Sequence, residues 1–143
     1  MAHHDVRCTW DEGLVFTAHQ DDREFMLAGS ADESGVRRGV SPKKLLLTAL
    51  AGCTAMDVAS LLPKMRVPFS HIHISASGEL TEEHPKVYLS MHVVYDIGTT
   101  EEYRSQVESI VEKSVTKYCG VHAMLEKVAS VTHEIRLTGS VAV

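Results

Sequence analysis

The chain is poor in several residue types, and each shortage excludes something. Of its 143 residues only three are cysteine, four are proline and one is tryptophan. Cys8, Cys53 and Cys119 lie far apart, so they do not make the even, dense disulfide framework of a small secreted domain. Positive charge is also scarce: 14 lysines and arginines against 19 acidic residues leave a net charge of −5. A nucleic-acid-binding protein needs a basic face, so nucleic acid is not an expected partner. No uninterrupted apolar run reaches the ~18 residues of a membrane span. The nearest, Leu45 to Ala59, is broken by Asp57, so no membrane span is expected. The first residues, MAHHDVRCTW, lack the basic-then-apolar pattern of a secretion signal. Together these absences point to one cytoplasmic domain covering residues 1–143.

What is present is one long helix, Ser41 to Met65. Ser41 can cap its first free N–H groups, and Pro42 suits the first helical position because its missing N–H would be unpaired there anyway. Leu45, Leu46, Ala49, Leu50, Cys53, Met56, Ala59 and Leu61 follow with little polar relief. A helix apolar on most sides belongs inside a protein. It asks for more cover than one small chain supplies, so a homodimer is expected.

The flanking segments read as strands and shorter helices. Alternating stretches at Val6–Trp10, Leu14–Ala18 and Glu24–Ala28, separated by tight turns, make a three-stranded meander. After the long helix, Phe69–Leu80 and Pro85–Ile97 alternate as a half-buried hairpin. Gly98 to Glu102 opens a second helix, with Thr99 or Thr100 as cap and two glutamates at the positive end of its dipole. Tyr103, Val107, Ile110, Val111, Ser114 and Tyr118 recur on one face of it. Cys119-Gly120 breaks the pattern, a short helix follows over His122–Val128, and Val131–Leu137 is a last strand. The order βββ-α-ββ-α-α-β, with antiparallel sheets around one long central buried helix, is an α+β fold.

The chemistry-bearing residues are few. Taken alone, Cys53 reads as a small core hydrophobe. As a nucleophile it would need access and a second thiol to resolve its oxidised form. Cys119 stands where one helix ends and the next begins, and free N–H groups there favour a thiolate. Cys8, on the first strand, reads as structural or merely exposed. Asp57, one turn beyond Cys53, would raise a thiol pKa unless it pairs elsewhere. Of nine histidines, His71 and His73 share a strand face, and His92 is expected on the neighbouring strand. No C-x-x-C or H-x-x-x-H spacing accompanies them, so a solvated face is the expectation and no metal is assigned. His122 reads as a surface residue. No Gly-rich phosphate loop and no G-x-S-x-G occur.

The pair of cysteines gains meaning from its setting. The segments Ser41-Pro42-Lys43-Lys44-Leu45-Leu46-Leu47 through Ala51-Gly52-Cys53, Lys117-Tyr118-Cys119-Gly120-Val121, Ala31-Asp32-Glu33-Ser34-Gly35 and Val131-Thr132-His133-Glu134-Ile135 resemble the OsmC/Ohr family, named for osmotic induction and organic hydroperoxide resistance. The resemblance implies an intertwined homodimer, with an active site at each interface and two long helices at the centre. It implies that Cys53 is the peroxidatic thiolate and that Cys119 resolves the sulfenic acid to a disulfide. The substrate would be an organic hydroperoxide, the reductant an external dithiol of the dihydrolipoyl kind, and no metal or organic cofactor would be required. One device of the best-studied members is missing. They carry a glutamate soon after the helix-opening proline, holding an early arginine beside the thiol; here the matching residues are Lys43 and Lys44. The first turn, where the arginine is expected, reads Asp11-Glu12-Gly13. Arg7, Arg37, Arg38 and Lys43 are the alternative sources of positive charge, and the match is closer to the broader OsmC-like branch. Two other readings share the fold: thiol-redox chemistry on another substrate, and a non-catalytic dimer that binds an apolar ligand.

Overall fold

The computed structural model describes residues 1–139. They divide into two compact units, Met1–Leu46 and a second that starts at Leu47. The first is an antiparallel meander of β1 (Arg7–Glu12), β2 (Val15–Gln20) and β3 (Arg23–Ala28). Its turns use left-handed backbone at Gly13 (φ 50°) and Asp21 (φ 54°). Beyond β3 the chain loops out and returns. Asp32 accepts the N–H groups of Ser34 (2.9 Å) and Val36 (3.0 Å), which closes the loop on itself. Val40 then pairs back onto β3, donating to Met26 O at 2.9 Å and accepting from Ala28 at 3.0 Å. Gly39 permits this return, because a Cβ there would lie 2.5 Å from the Met26 carbonyl oxygen.

The long helix, α1, runs Leu45–Lys64. It starts later than the Ser41-Pro42 signal suggests, because those residues form a preceding turn in which Leu45 N–H meets Ser41 O at 3.2 Å. Pro63 falls inside its last turn. The helix closes immediately afterwards: Arg66 takes a left-handed conformation (φ 57°), and Val67 N–H reaches back five residues to Leu62 O at 2.9 Å. That bond pattern caps carbonyls the helix leaves open.

The second sheet has the order β4-β5-β6, from β4 (Ile72–Leu80), β5 (Tyr88–Ile97) and β6 (Ser130–Leu137). β4 and β5 are the expected antiparallel hairpin, whereas β6 lies parallel to β5. A parallel pairing needs a long crossover, and the helical stretch between Ile97 and Ser130 supplies it. That stretch is a 3-10 turn (Glu101–Tyr103), α2 (Arg104–Lys113), a π-helical turn (Ser114–Tyr118) and α3 (Gly120–Leu125). The expected threonine cap is not made: Thr100 forms no capping bond, and Thr99 is buried with its hydroxyl unpartnered.

The core of the second unit is apolar and continuous. Leu50, Val58 and Leu62 of α1 pack with Val93, Tyr95 and Ile97 of β5 and with Val107, Ile110 and Val111 of α2. On α1, burial within one chain follows a single stripe of every fourth residue, Leu50, Thr54, Val58 and Leu62. Leu46 and Met56 are exposed. By length and composition α1 is apolar enough to cross a membrane, yet its stripe is part of this core.

Leu62→Ala should lower the unfolding free energy by about 2–5 kcal/mol, measured by urea denaturation. Met56→Ala should cost about 0.5 kcal/mol or less in a lone chain. A larger loss, dependent on protein concentration, is the expected signature of a second subunit on that face.

Candidate thiol site

Helix α1 carries Cys53, Thr54 and Asp57 within little more than one turn. Thr54 occupies the buried stripe, and Cys53 and Asp57 are half-buried. The other cysteine arrives from the π-helical turn. There the backbone bond spans five residues, from Cys119 N–H to Ser114 O at 2.8 Å. Such wide turns insert an extra residue into a helix and re-aim the side chains beyond it. The turn leaves Cys119 as the cap of α3, with its sulfur accepting the His122 N–H at 3.3 Å. Cys119 is only 3% exposed, whereas Cys8 is exposed on β1.

The two thiols meet. Burial is the largest influence on Cys119 and pushes its thiol up to about 11, while the His122 N–H pulls the other way. The neighbouring Cys53 and Asp57 raise it further. The helix N-terminus was expected to favour a Cys119 thiolate. Desolvation outweighs it, because a buried anion loses more water than one N–H replaces.

Beneath the thiols lies a buried chain of hydroxyls. Ser114 Oγ donates to Asp57 Oδ2 at 2.7 Å. Thr54 Oγ1 lies 2.8 Å from Ser114 Oγ and 2.7 Å from the Tyr95 hydroxyl. Each hydroxyl has one proton. Ser114 gives its proton to the carboxylate, so Thr54 must donate to Ser114 and Tyr95 to Thr54. The direction Tyr95 to Thr54 to Ser114 to Asp57 is thus set by counting protons. Burial raises Tyr95 above its ordinary value, and the charge of Asp57 adds to the rise. Asp57 does pair elsewhere, as its place beside a thiol requires, and its partner is Ser114.

Other expectations change. His122 is buried rather than superficial, at 6% exposed. It meets Cys119 through its backbone, and its ring Nδ1 sits 3.6 Å from Glu126 Oε2 without a hydrogen bond. Of the four candidate cations, Arg37 donates to the Ala28 carbonyl at 2.5 Å and Arg38 pairs with Glu12, both within the first unit. Arg7 and Lys43 are exposed. A concavity of about 360 Å³ opens along the π turn and α3, lined by Lys117, Tyr118, Cys119, Gly120 and Glu126 among others. Sequence reasoning missed Thr54, Ser114 and Tyr95. The available signal was a threonine in the apolar series Leu50, Thr54, Val58, Leu62, since a buried hydroxyl needs a partner.

Comparison with known proteins places this architecture. A family model described as OsmC-like protein matches residues 32–134. Protein YhfA of Escherichia coli K12 is 27% identical over 136 residues, covering 94% of this chain and 98% of that protein. The crystal structure of a hypothetical protein from Aquifex aeolicus VF5 superposes with a TM-score of 0.79 at 26% identity, covering 96% of this chain and 99% of that one. The organic hydroperoxide resistance protein OhrB of Bacillus subtilis shares the fold at a TM-score of 0.67 and 14% identity, with 94% and 98% coverage.

The raised Cys119 has a consequence for stability. Between pH 9, the ordinary thiol value, and about 11, the folded chain holds more proton at Cys119 than the unfolded chain does. Stability contributed by this group is therefore complete below pH 9 and is lost as pH rises through that window. Urea midpoints across pH 8–11 should fall less steeply in Cys119→Ala than in the unmodified chain. Thr54→Val interrupts the hydroxyl chain and should cost about 1–3 kcal/mol by the same measurement.

Proposed function

This chain belongs to the OsmC-like protein family, and from that premise we propose that it is a thiol-dependent peroxidase acting on organic hydroperoxides through Cys53 and Cys119. One observation supports the reading: a half-buried thiol, Cys53, neighbours a buried one, Cys119. That pairing matches a nucleophile and a resolving partner. The name of the Bacillus subtilis relative points to the same substrate class.

In the proposed cycle the Cys53 thiolate attacks the terminal oxygen of the hydroperoxide. The O–O bond breaks, the alkoxide takes a proton and leaves as alcohol, and Cys53 becomes a sulfenic acid. Cys119 then attacks the Cys53 sulfur. The S–S bond forms, and the sulfenic oxygen departs as water with the Cys119 proton. An external dithiol, of the dihydrolipoyl kind, supplies two electrons and two protons and becomes a disulfide itself. Lys43 and Lys44 stand where the best-studied members carry their glutamate. No metal or organic cofactor enters the cycle. The apolar surroundings of Cys53 favour an alkyl or aryl hydroperoxide over hydrogen peroxide. The reading includes a homodimer, in which a second subunit covers the exposed Leu46 and Met56 of α1 and completes each site at the interface. It also places the protein in the cytoplasm, where dithiol reductants are maintained.

The test is turnover with dihydrolipoamide as reductant. Cumene hydroperoxide should be consumed faster than hydrogen peroxide. Cys53→Ser and Cys119→Ser should each lower turnover by about 100-fold or more. Turnover that survives Cys53→Ser would overturn the proposal.

A further inference from the structure

We propose that His71, His73 and Asp96 form a binding site for a divalent transition-metal ion of the zinc, nickel and copper group. None of the three takes part in the thiol chemistry.

The site is built by strand register. His71 precedes β4 and His73 lies on it, so two residues apart they share a face. Directly across the hairpin from His73 is Asp96 of β5. The two imidazoles stack with centroids 4.5 Å apart and planes 27° apart. Asp96 Oδ1 is 3.0 Å from His71 Nε2, and one donor atom from each of the three residues lies within 4.8 Å of the others. The backbone is shaped for this packing. A Cβ at residue 98 would lie 2.5 Å from His71 Nδ1 and closer still to Ser70 Oγ, so only glycine admits the ring there. Gly98 N–H also bonds His71 O at 2.9 Å.

His71 Nε2 meets Asp96 Oδ1 at 3.0 Å, and Thr138 donates to the same oxygen while lying 3.3 Å from Nε2. Ser70 Oγ lies 3.2 Å from Gly98 O and 3.4 Å from His71 Nδ1. A ring N–H on Nε2 joins one imidazole to the carboxylate. His73, stacked alongside, brings a second imidazole to the same carboxylate, and a metal ion can take all three.

The dimensions agree. Donors bound to zinc at about 2.0–2.2 Å in tetrahedral array lie roughly 3.2–3.6 Å from one another, near the observed 3.0 Å spacing, and rotation of the exposed His73 ring brings in the third. Ser70 on Nδ1 and Thr138 on Asp96 orient the ligands as outer-shell groups do in metal sites. Two imidazoles and one carboxylate suit zinc, nickel or copper, whereas calcium and magnesium ask for oxygen alone. The side chains of His71 and Asp96 are 30% and 32% exposed, which leaves the remaining coordination positions to water. His92, the partner expected from sequence, lies opposite Ser77. It bonds Thr132 at 2.7 Å and Glu134 at 3.0 Å instead.

The test is calorimetric titration of zinc chloride into the full chain carrying His3→Ala and His4→Ala, with its thiols alkylated, so that neither the terminal imidazoles nor the cysteines compete. One zinc per chain should bind, and the thermal unfolding midpoint should rise. His73→Ala, at an exposed position, should weaken binding by about tenfold or more with the zinc-free midpoint unchanged, and Asp96→Asn should weaken binding to a similar degree. No binding heat in a folded chain, or equal affinity in His73→Ala, would overturn the site. No hydroperoxide is used, so this outcome is independent of the thiol proposal.

Discussion

Ser114 bonds in two directions at once. Its hydroxyl donates to Asp57 on the long helix, and its carbonyl accepts the N–H of Cys119 across the π turn. The first bond ties the crossover to α1. The second decides where the second cysteine comes to rest. An ordinary helical turn at this point would carry the chain onward in register and set Cys119 at a different angle. The wide turn uses one extra residue and brings the sulfur to Cys53. The buried, fully directed run from Tyr95 through Thr54 makes the arrangement rigid, because every hydroxyl proton in it has one place to go.

The same region shows two opposed electrostatic effects with a clear winner. Helix N–H groups favour a thiolate at Cys119; burial favours the thiol. Burial prevails, and the Cys119 thiol is pushed up to about 11. A resolving thiol that stays protonated does not compete with Cys53 for the first attack, and its proton is available when the sulfenic oxygen must leave as water.

Much of the architecture was legible in the residues. The meander shows in its alternation and turn residues, and α1 shows in its length and apolar character. Cys53 and Cys119 stand out because each sits in a distinctive setting. The unread features depend on register or on desolvation, neither of which a local pattern carries. The parallel seat of β6 needs the crossover path. The π turn at Ser114–Tyr118 has the same spacing signature as ordinary helix to within one residue. Asp96 faces His73 only once the β4–β5 pairing is known. His122 reads as polar and therefore exposed, yet the tight start of α3 turns it inward. Thr54 was readable in principle, as the one hydroxyl in an apolar stripe.

The central claim is that Cys53 and Cys119 act as one redox unit. The direct measurement is mass-spectrometric mapping of the thiols after the reduced protein meets about one equivalent of cumene hydroperoxide, the amount one thiol pair consumes. The account predicts a Cys53–Cys119 disulfide, with Cys8 still free, and a sulfenic or over-oxidised Cys53 when Cys119→Ser removes the partner. Thiols that emerge unchanged, or oxidation that begins at Cys119, would contradict it.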